Sequence, residues 1–201
     1  MIKHYIFDIG NVIVDFHPIP FFEAIMPNKQ MDKVCPLVFA KEWECMDAGD
    51  YTCAEVQAIL VKRYPMYEVQ IHCICEHWME MMKLKEDTIQ YMQELQEQGN
   101  HVYLLSNISE ESYTFLSTKY DFFDWVDGIV LSYRIRCNKP NPRIYQTLLE
   151  TYHIAAADCI FFDDREGNIH MAQQLGMQGI IFSDIKQAKE EVAQLCCQSI
   201  K

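Results

Sequence analysis

Apolar positions along this chain follow two rhythms. Five short apolar runs, His4–Phe7, His101–Leu105, Gly128–Leu131, Cys159–Phe162 and Gly179–Phe182, have the length of buried strands. Several end at polar residues suited to turns. Between the later runs the spacing lengthens to that of a helix. Over 88–98 apolar residues recur at Ile89, Met92 and Leu95, and Gly99 stands where a C-terminal cap belongs. Over 142–152 a proline opens the first turn, and Ile144, Tyr145, Leu148 and Leu149 share one face. A third helix is expected over 168–175, closed by Gly176. Strand alternating with helix predicts an α/β core, a parallel sheet covered by helices on both sides.

From about Pro18 to Lys85 this rhythm breaks. The stretch holds Trp43, Trp78, the Met79–Met82 cluster and helix-like patterns, but no convincing strand. Gly49-Asp50 and Tyr64-Pro65 read as turns between helices. The expected organisation is therefore a core of residues 1–17 and 86–201, interrupted by a helical insertion over 18–85. The chain should cross into it near Phe16–Pro20 and back near Leu84–Asp87. No repeat, low-complexity tract or flexible linker is visible.

Composition narrows the partners. Half of the 201 residues are hydrophobic, and there is no run long enough to span a membrane. The N-terminal apolar run is too short for a signal peptide, which predicts a cytoplasmic protein. The chain is expected to be a monomer or homodimer, and its sequence does not choose between them. Nine cysteines, with no Cys-x-x-Cys spacing, read as reduced and mostly buried thiols rather than as a zinc site. The formal net charge of −12 argues against nucleic acid and membrane partners. The same field repels phosphate esters, so any phosphate-handling site must gather its own positive charge.

The informative polar residues sit just beyond the strands. Tyr5-Ile6-Phe7 runs into Asp8-Ile9-Gly10-Asn11, Tyr103-Leu104-Leu105 into Ser106-Asn107, and Ile160-Phe161-Phe162 into Asp163-Asp164. The third strand is followed by Asn138-Lys139-Pro140. In an open parallel sheet ligands bind beyond the carboxyl ends of the strands. Taken singly, each has a structural explanation. Asp8 suits a turn before Gly10, Asn107 with Glu110 resembles a capping box, Lys139 suits a solvated surface, and Asp164 suits a helix cap. Adjacent carboxylates ending an apolar strand, however, repel one another unless a cation joins them.

In this order the motifs resemble those of the haloacid dehalogenase-like (HAD) hydrolase superfamily, over the whole length of the chain. Phe7-Asp8-Ile9-Gly10-Asn11-Val12-Ile13-Val14, Lys139-Pro140-x-Pro142-x-Ile144-Tyr145 and Phe162-Asp163-Asp164-x-x-x-Asn168 are most similar to sugar-phosphate phosphatases of the α-glucose-1-phosphate phosphatase type. The N-terminal phosphatase domains of soluble epoxide hydrolases are similar too. The resemblance implies a Rossmann-like core with an inserted helical cap, acting on a small-molecule phosphate ester with Mg²⁺. It implies Asp8 as nucleophile, with Ser106, the backbone around Asn107, and Lys139 holding the phosphoryl group. Asp8, Asp164 and the Gly10 carbonyl would hold the metal, with Asp163 as a direct or indirect partner. Phe21, Phe22, Trp43, Trp78 and Met79 are candidates for lining the cap but read first as its packing residues.

One residue departs from the family pattern. Phosphatases of this superfamily usually carry a general acid and base two residues after the nucleophile, where this chain has Gly10. Either another group, such as His17 or a cap residue, donates the proton, or the natural leaving group is weakly basic. The subgroup resemblance favours the weakly basic leaving group. Two other readings share the scaffold: a 2-haloacid dehalogenase, against which the Asp163-Asp164 pair speaks, and a non-catalytic sugar-phosphate-binding module.

Overall fold

The computed structural model describes residues 2–198, with side chains up to residue 195. Five strands form one sheet: β1 (His4–Phe7), β2 (His101–Ser106), β3 (Gly128–Leu131), β4 (Cys159–Asp163) and β5 (Gln178–Ile181). Their spatial order is β3-β2-β1-β4-β5, and every pairing is parallel. The chain starts in the middle of the sheet, fills one side and then the other. In register, Phe7 stands opposite Leu104 and Phe162, so β1, β2 and β4 end side by side.

Helices account for most of the remainder. Those between β1 and β2 are α1 (Pro18–Ile25), α2 (Met31–Val38), α3 (Lys41–Asp47), α4 (Cys53–Arg63), α5 (Glu68–His77) and α6 (Glu86–Glu97). Then come α7 (Glu110–Lys119), α8 (Phe122–Trp125), α9 (Ser132–Ile135), α10 (Pro142–Tyr152), α11 (Glu166–Gln174) and α12 (Ile185–Gln198). Helix α10 has the expected bounds, with Asn141 accepting from the Arg143 N–H ahead of Pro142. A capping box between Thr52 and Glu55 starts α4. Gly99 and Gly176 both take positive φ just past their helices, as a C-terminal cap requires. Boundaries shift slightly elsewhere. Helix α6 starts at Glu86, α11 starts at Glu166, and β5 runs one residue earlier than its apolar pattern suggests.

The inner strands β1, β2 and β4 are buried on both faces, as a helix-covered parallel sheet demands, while the edge strand β5 leaves Ile181 exposed. Alternate residues point to opposite sides. Tyr5, Phe7, Leu104 and Phe162 join one core cluster, which continues into Phe22, Trp43, Leu60 and Trp78 of the segment between the strands. Ile6, Leu105 and Phe161 join the other, packed against Tyr145, Leu148 and Ile169 of α10 and α11. The two crossings at the base of the intervening segment lie against each other. The Asp15 N–H donates to Lys83 O at 2.9 Å, the Lys85 N–H donates to Ile13 O at 2.8 Å, and Val14 and Leu84 form an antiparallel bridge. No strand of the sheet falls between 18 and 85. Among the described residues no helix is long and apolar enough to cross a membrane. The cysteines described in detail are all free thiols; Cys196 and Cys197 lie where side chains are not described.

Candidate active site

The ends of β1, β2 and β4 bring the expected residues into one hydrogen-bonded group. Lys139 is its centre, 3% exposed, and its ammonium replaces water with three oxygens. It pairs with Asp8 Oδ1 at 2.8 Å and Asp163 Oδ2 at 2.6 Å, and donates to Leu105 O at 2.8 Å. Burial, the largest single influence, lowers the ammonium's pKa, but the two carboxylates together outweigh it and raise the value, holding the charged form. A solvated surface lysine is excluded.

Asp8 Oδ1 also accepts from the Ser106 hydroxyl and the Ile9 N–H, both at 2.7 Å. None of these donors uses Oδ2. Burial pushes the Asp8 carboxyl up to about 7, with Asp163 adding to the shift and Lys139 and Ser106 opposing it. An ammonium alone leaves this carboxylate undercompensated; a divalent cation would complete it.

The adjacent acids at the end of β4 have different surroundings. Asp163 is fully buried and both its oxygens are occupied. Oδ2 takes Lys139 and the Asn168 amide, while Oδ1 takes the Arg165 N–H and the same amide. Asp164 is only part-buried and accepts at Oδ2 from the Asn11 amide at 2.8 Å. It does not cap α11, whose first turn follows Arg165. One carboxylate oxygen from each of Asp8, Asp163 and Asp164 lies within 4.8 Å of the others. Hard oxygen donors at that spacing fit Mg²⁺. The hydrogen bonds leave Asp8 and Asp164 freer to bind it than Asp163.

Two asparagines shape the site. Asn11 adopts a left-handed φ of 57°, which its short polar side chain tolerates. Its oxygen accepts from the Phe16 N–H, and its amide ties the β1 loop to Asp164. Asn107 is not the helix cap its spacing with Glu110 suggests. Ser109 caps α7, accepting from the Ser112 N–H. Asn107 instead clamps the Lys139 backbone, accepting from its N–H at 2.7 Å and donating to its carbonyl at 3.0 Å. Its side chain is thus engaged on both its amide nitrogen and its oxygen.

Above this floor lies a cavity of about 290 Å³. Asp8, Gly10, Ser106, Asn107, Lys139 and Asp164 all line it, whereas Asp163 stands behind them. Trp43 and Trp78 serve two purposes: they stack edge to face at 4.8 Å within the core and also form the cavity wall. Phe21, Phe22 and Met79 are packing residues only, and His17 is exposed and away from the wall. Asp47, from the end of α3, also faces the cavity; nothing in its local sequence sets it apart.

A family model described as haloacid dehalogenase-like hydrolase matches residues 2–176. The chain is 24% identical to a D-ribitol-5-phosphate phosphatase of Bacteroides thetaiotaomicron, covering 89% of this chain and 90% of the relative. It is also 24% identical to the sesquiterpene phosphatase AstK of Aspergillus oryzae, covering 96% of both. A crystal structure of a HAD family enzyme from Bacteroides thetaiotaomicron, in complex with magnesium and inorganic phosphate, superposes with a TM-score of 0.71. That match is 22% identical and covers 92% of this chain and 98% of the other.

Proposed function

The chain belongs to the haloacid dehalogenase-like hydrolase family, and from that premise we propose that it is a Mg²⁺-dependent phosphatase attacking a small phosphate monoester with Asp8. One observation carries the reading. A carboxylate with one oxygen that, among the described residues, accepts no hydrogen bond shares a cavity floor with a buried ammonium, a hydroxyl and a second, accessible carboxylate. That set suits phosphoryl transfer, where fixed charges stabilise a transition state and little else is required of the protein. Sugar phosphates come first among substrates, supported by the phosphatase motifs and by the relative named for a polyol phosphate.

Asp8 would attack phosphorus as the alcohol departs, giving an aspartyl-phosphate that water then hydrolyses. Ser106, the backbone at Asn107, and Lys139 would hold the phosphoryl oxygens. Asp163 would act through Lys139, holding the ammonium in place with both its own oxygens occupied. Mg²⁺, held by Asp8, Asp164 and the Gly10 carbonyl, would supply further positive charge against the phosphoryl oxygens. The helices over 18–85 would form the cap that selects the substrate, with Trp43 and Trp78 as its inner wall.

Phosphate release from a panel of phosphomonoesters, with Mg²⁺ and then with chelator, tests the reading. Wild-type turnover should need the metal, and Asp8→Asn should abolish turnover while leaving the melting transition intact. Retained turnover in that variant would remove the mechanism. Halide release from a 2-haloacid, undiminished by chelator, would replace it with dehalogenation.

A further inference from the structure

The β1 loop offers no acid to a departing alcohol. Gly10 stands where one would be expected, and a Cβ built there meets nothing within 4 Å. The position opens into free space. Asp47 reaches the same cavity from the segment between the strands.

The placement of Asp47 is fixed by the core. The Ser132 hydroxyl donates to the Asp47 carbonyl at 2.5 Å while accepting from the Ile108 N–H at 2.8 Å. The Asn138 amide donates to Glu44 O, one turn earlier in α3, at 2.6 Å. Gly49, at φ +78°, lets the following turn press on the Tyr133 carbonyl, where a Cβ would come within 2.8 Å. The end of α3 is therefore docked on the residues that follow β2 and β3.

The other ionisable groups on the wall are committed or peripheral. Lys139 is locked between two carboxylates, Asp164 belongs to the acidic cluster, and Glu44 and Arg165 are exposed at the rim. Burial, then the charges of Asp8 and Glu44, push the Asp47 carboxyl up to about 8, against Arg165 and the Ser109 N–H. Its proton is therefore held more tightly than that of an exposed aspartate.

Resting on the phosphatase reading above, we infer that Asp47 is the general acid and base that position 10 lacks. Its carboxyl gives a proton to the leaving oxygen as the bond from phosphorus to that oxygen breaks and the bond to Asp8 forms. The resulting carboxylate takes a proton from the water that displaces phosphate from Asp8. Both steps balance, and Asp47 returns to its protonated form. The acid is thus supplied by the helical segment, so chemistry on a basic leaving group requires that segment to be docked.

Asp47→Asn keeps the shape and removes the proton. Single-turnover release of the leaving group should be followed with Mg²⁺ for an alkyl phosphate and for p-nitrophenyl phosphate, whose phenolate departs unaided. Release of the alkyl alcohol should fall by about 10²–10⁴-fold, the usual worth of general acid catalysis. Release of p-nitrophenol should fall only a few-fold, and Asp47→Glu should restore part of the alkyl rate. Equal losses on both esters would make Asp47 a structural residue and overturn the inference, as would an unchanged alkyl rate. A wild type that releases neither alcohol would remove the phosphatase reading itself.

Discussion

Replacing Lys139 by methionine keeps most of the side-chain volume and deletes the only ammonium between Asp8 and Asp163. Removing one member of a buried ion pair typically destabilises by about 3–5 kcal/mol, because the partner charge is left uncompensated. For a chain of this size that corresponds to a melting temperature lower by roughly 6–20 °C. The pH dependence is the sharper signature. The Asp8 carboxyl sits at about 7 in the folded protein, above its ordinary 3.8. A carboxylate raised by folding reduces stability as pH rises between those two values, and then the effect levels off. Without the ammonium the folded value moves higher still. Wild type should therefore level off with respect to this group above about pH 7, while the variant keeps losing about 1.4 kcal/mol per pH unit. Lys139 itself has a raised pKa, so its contribution is intact throughout this window and would fade only above 10.5. Urea unfolding at several pH values from about 6 to 9 would measure the divergence. Adding Asp163→Asn to the variant should recover part of the loss, since a neutral pair leaves less buried charge unmatched. A loss constant with pH, or no recovery in the double variant, would reduce Lys139 to a packing residue and refute the reasoning.

The remaining predictions concern the cation and the docked helix. Below about pH 7 a proton on Asp8 competes with a divalent cation, so Mg²⁺ should raise the melting temperature more at about pH 8 than at about pH 6. At a hundredfold excess over its dissociation constant the ion should add about 2.7 kcal/mol, and a calorimetric shift independent of pH would contradict the assignment of Asp8 to the metal. Ser132→Ala removes the donor to the Asp47 carbonyl and the acceptor of the Ile108 N–H. It should destabilise by about 1–3 kcal/mol. It should also slow alkyl phosphate turnover more than aryl phosphate turnover, because Asp47 loses its anchor. Equal slowing would place Ser132 outside the chain of positioning contacts.

What could be read in advance from the sequence follows from how each residue reaches the cavity. Asp8, Ser106 and Asp163-Asp164 directly continue apolar strands, and neighbouring parallel strands end together, so adjacency in sequence became adjacency in space. Lys139 lies beyond α9 rather than at a strand end, and only its place in the motif order gave it away. The spacing of Asn107 to Glu110 also allowed a cap, but Ser109 is nearer the first helical turn and leaves the Asn107 amide free to clamp Lys139. Asp47 carried no local signal at all. It is an ordinary acidic residue near a helix end, and the contact that fixes it, with Ser132, joins positions 85 apart in the chain. Trp43 and Trp78 have the sequence character of packing residues, which their burial supports, yet the same rings wall the cavity. The parts of the site carried by the sheet were therefore legible from local pattern. The parts supplied by the helices over 18–85 depend on long-range docking, which no periodicity encodes. Gly10 marks where the two meet: its missing side chain signals that a group is absent from the sheet, and Asp47 of the docked helix lines the same cavity.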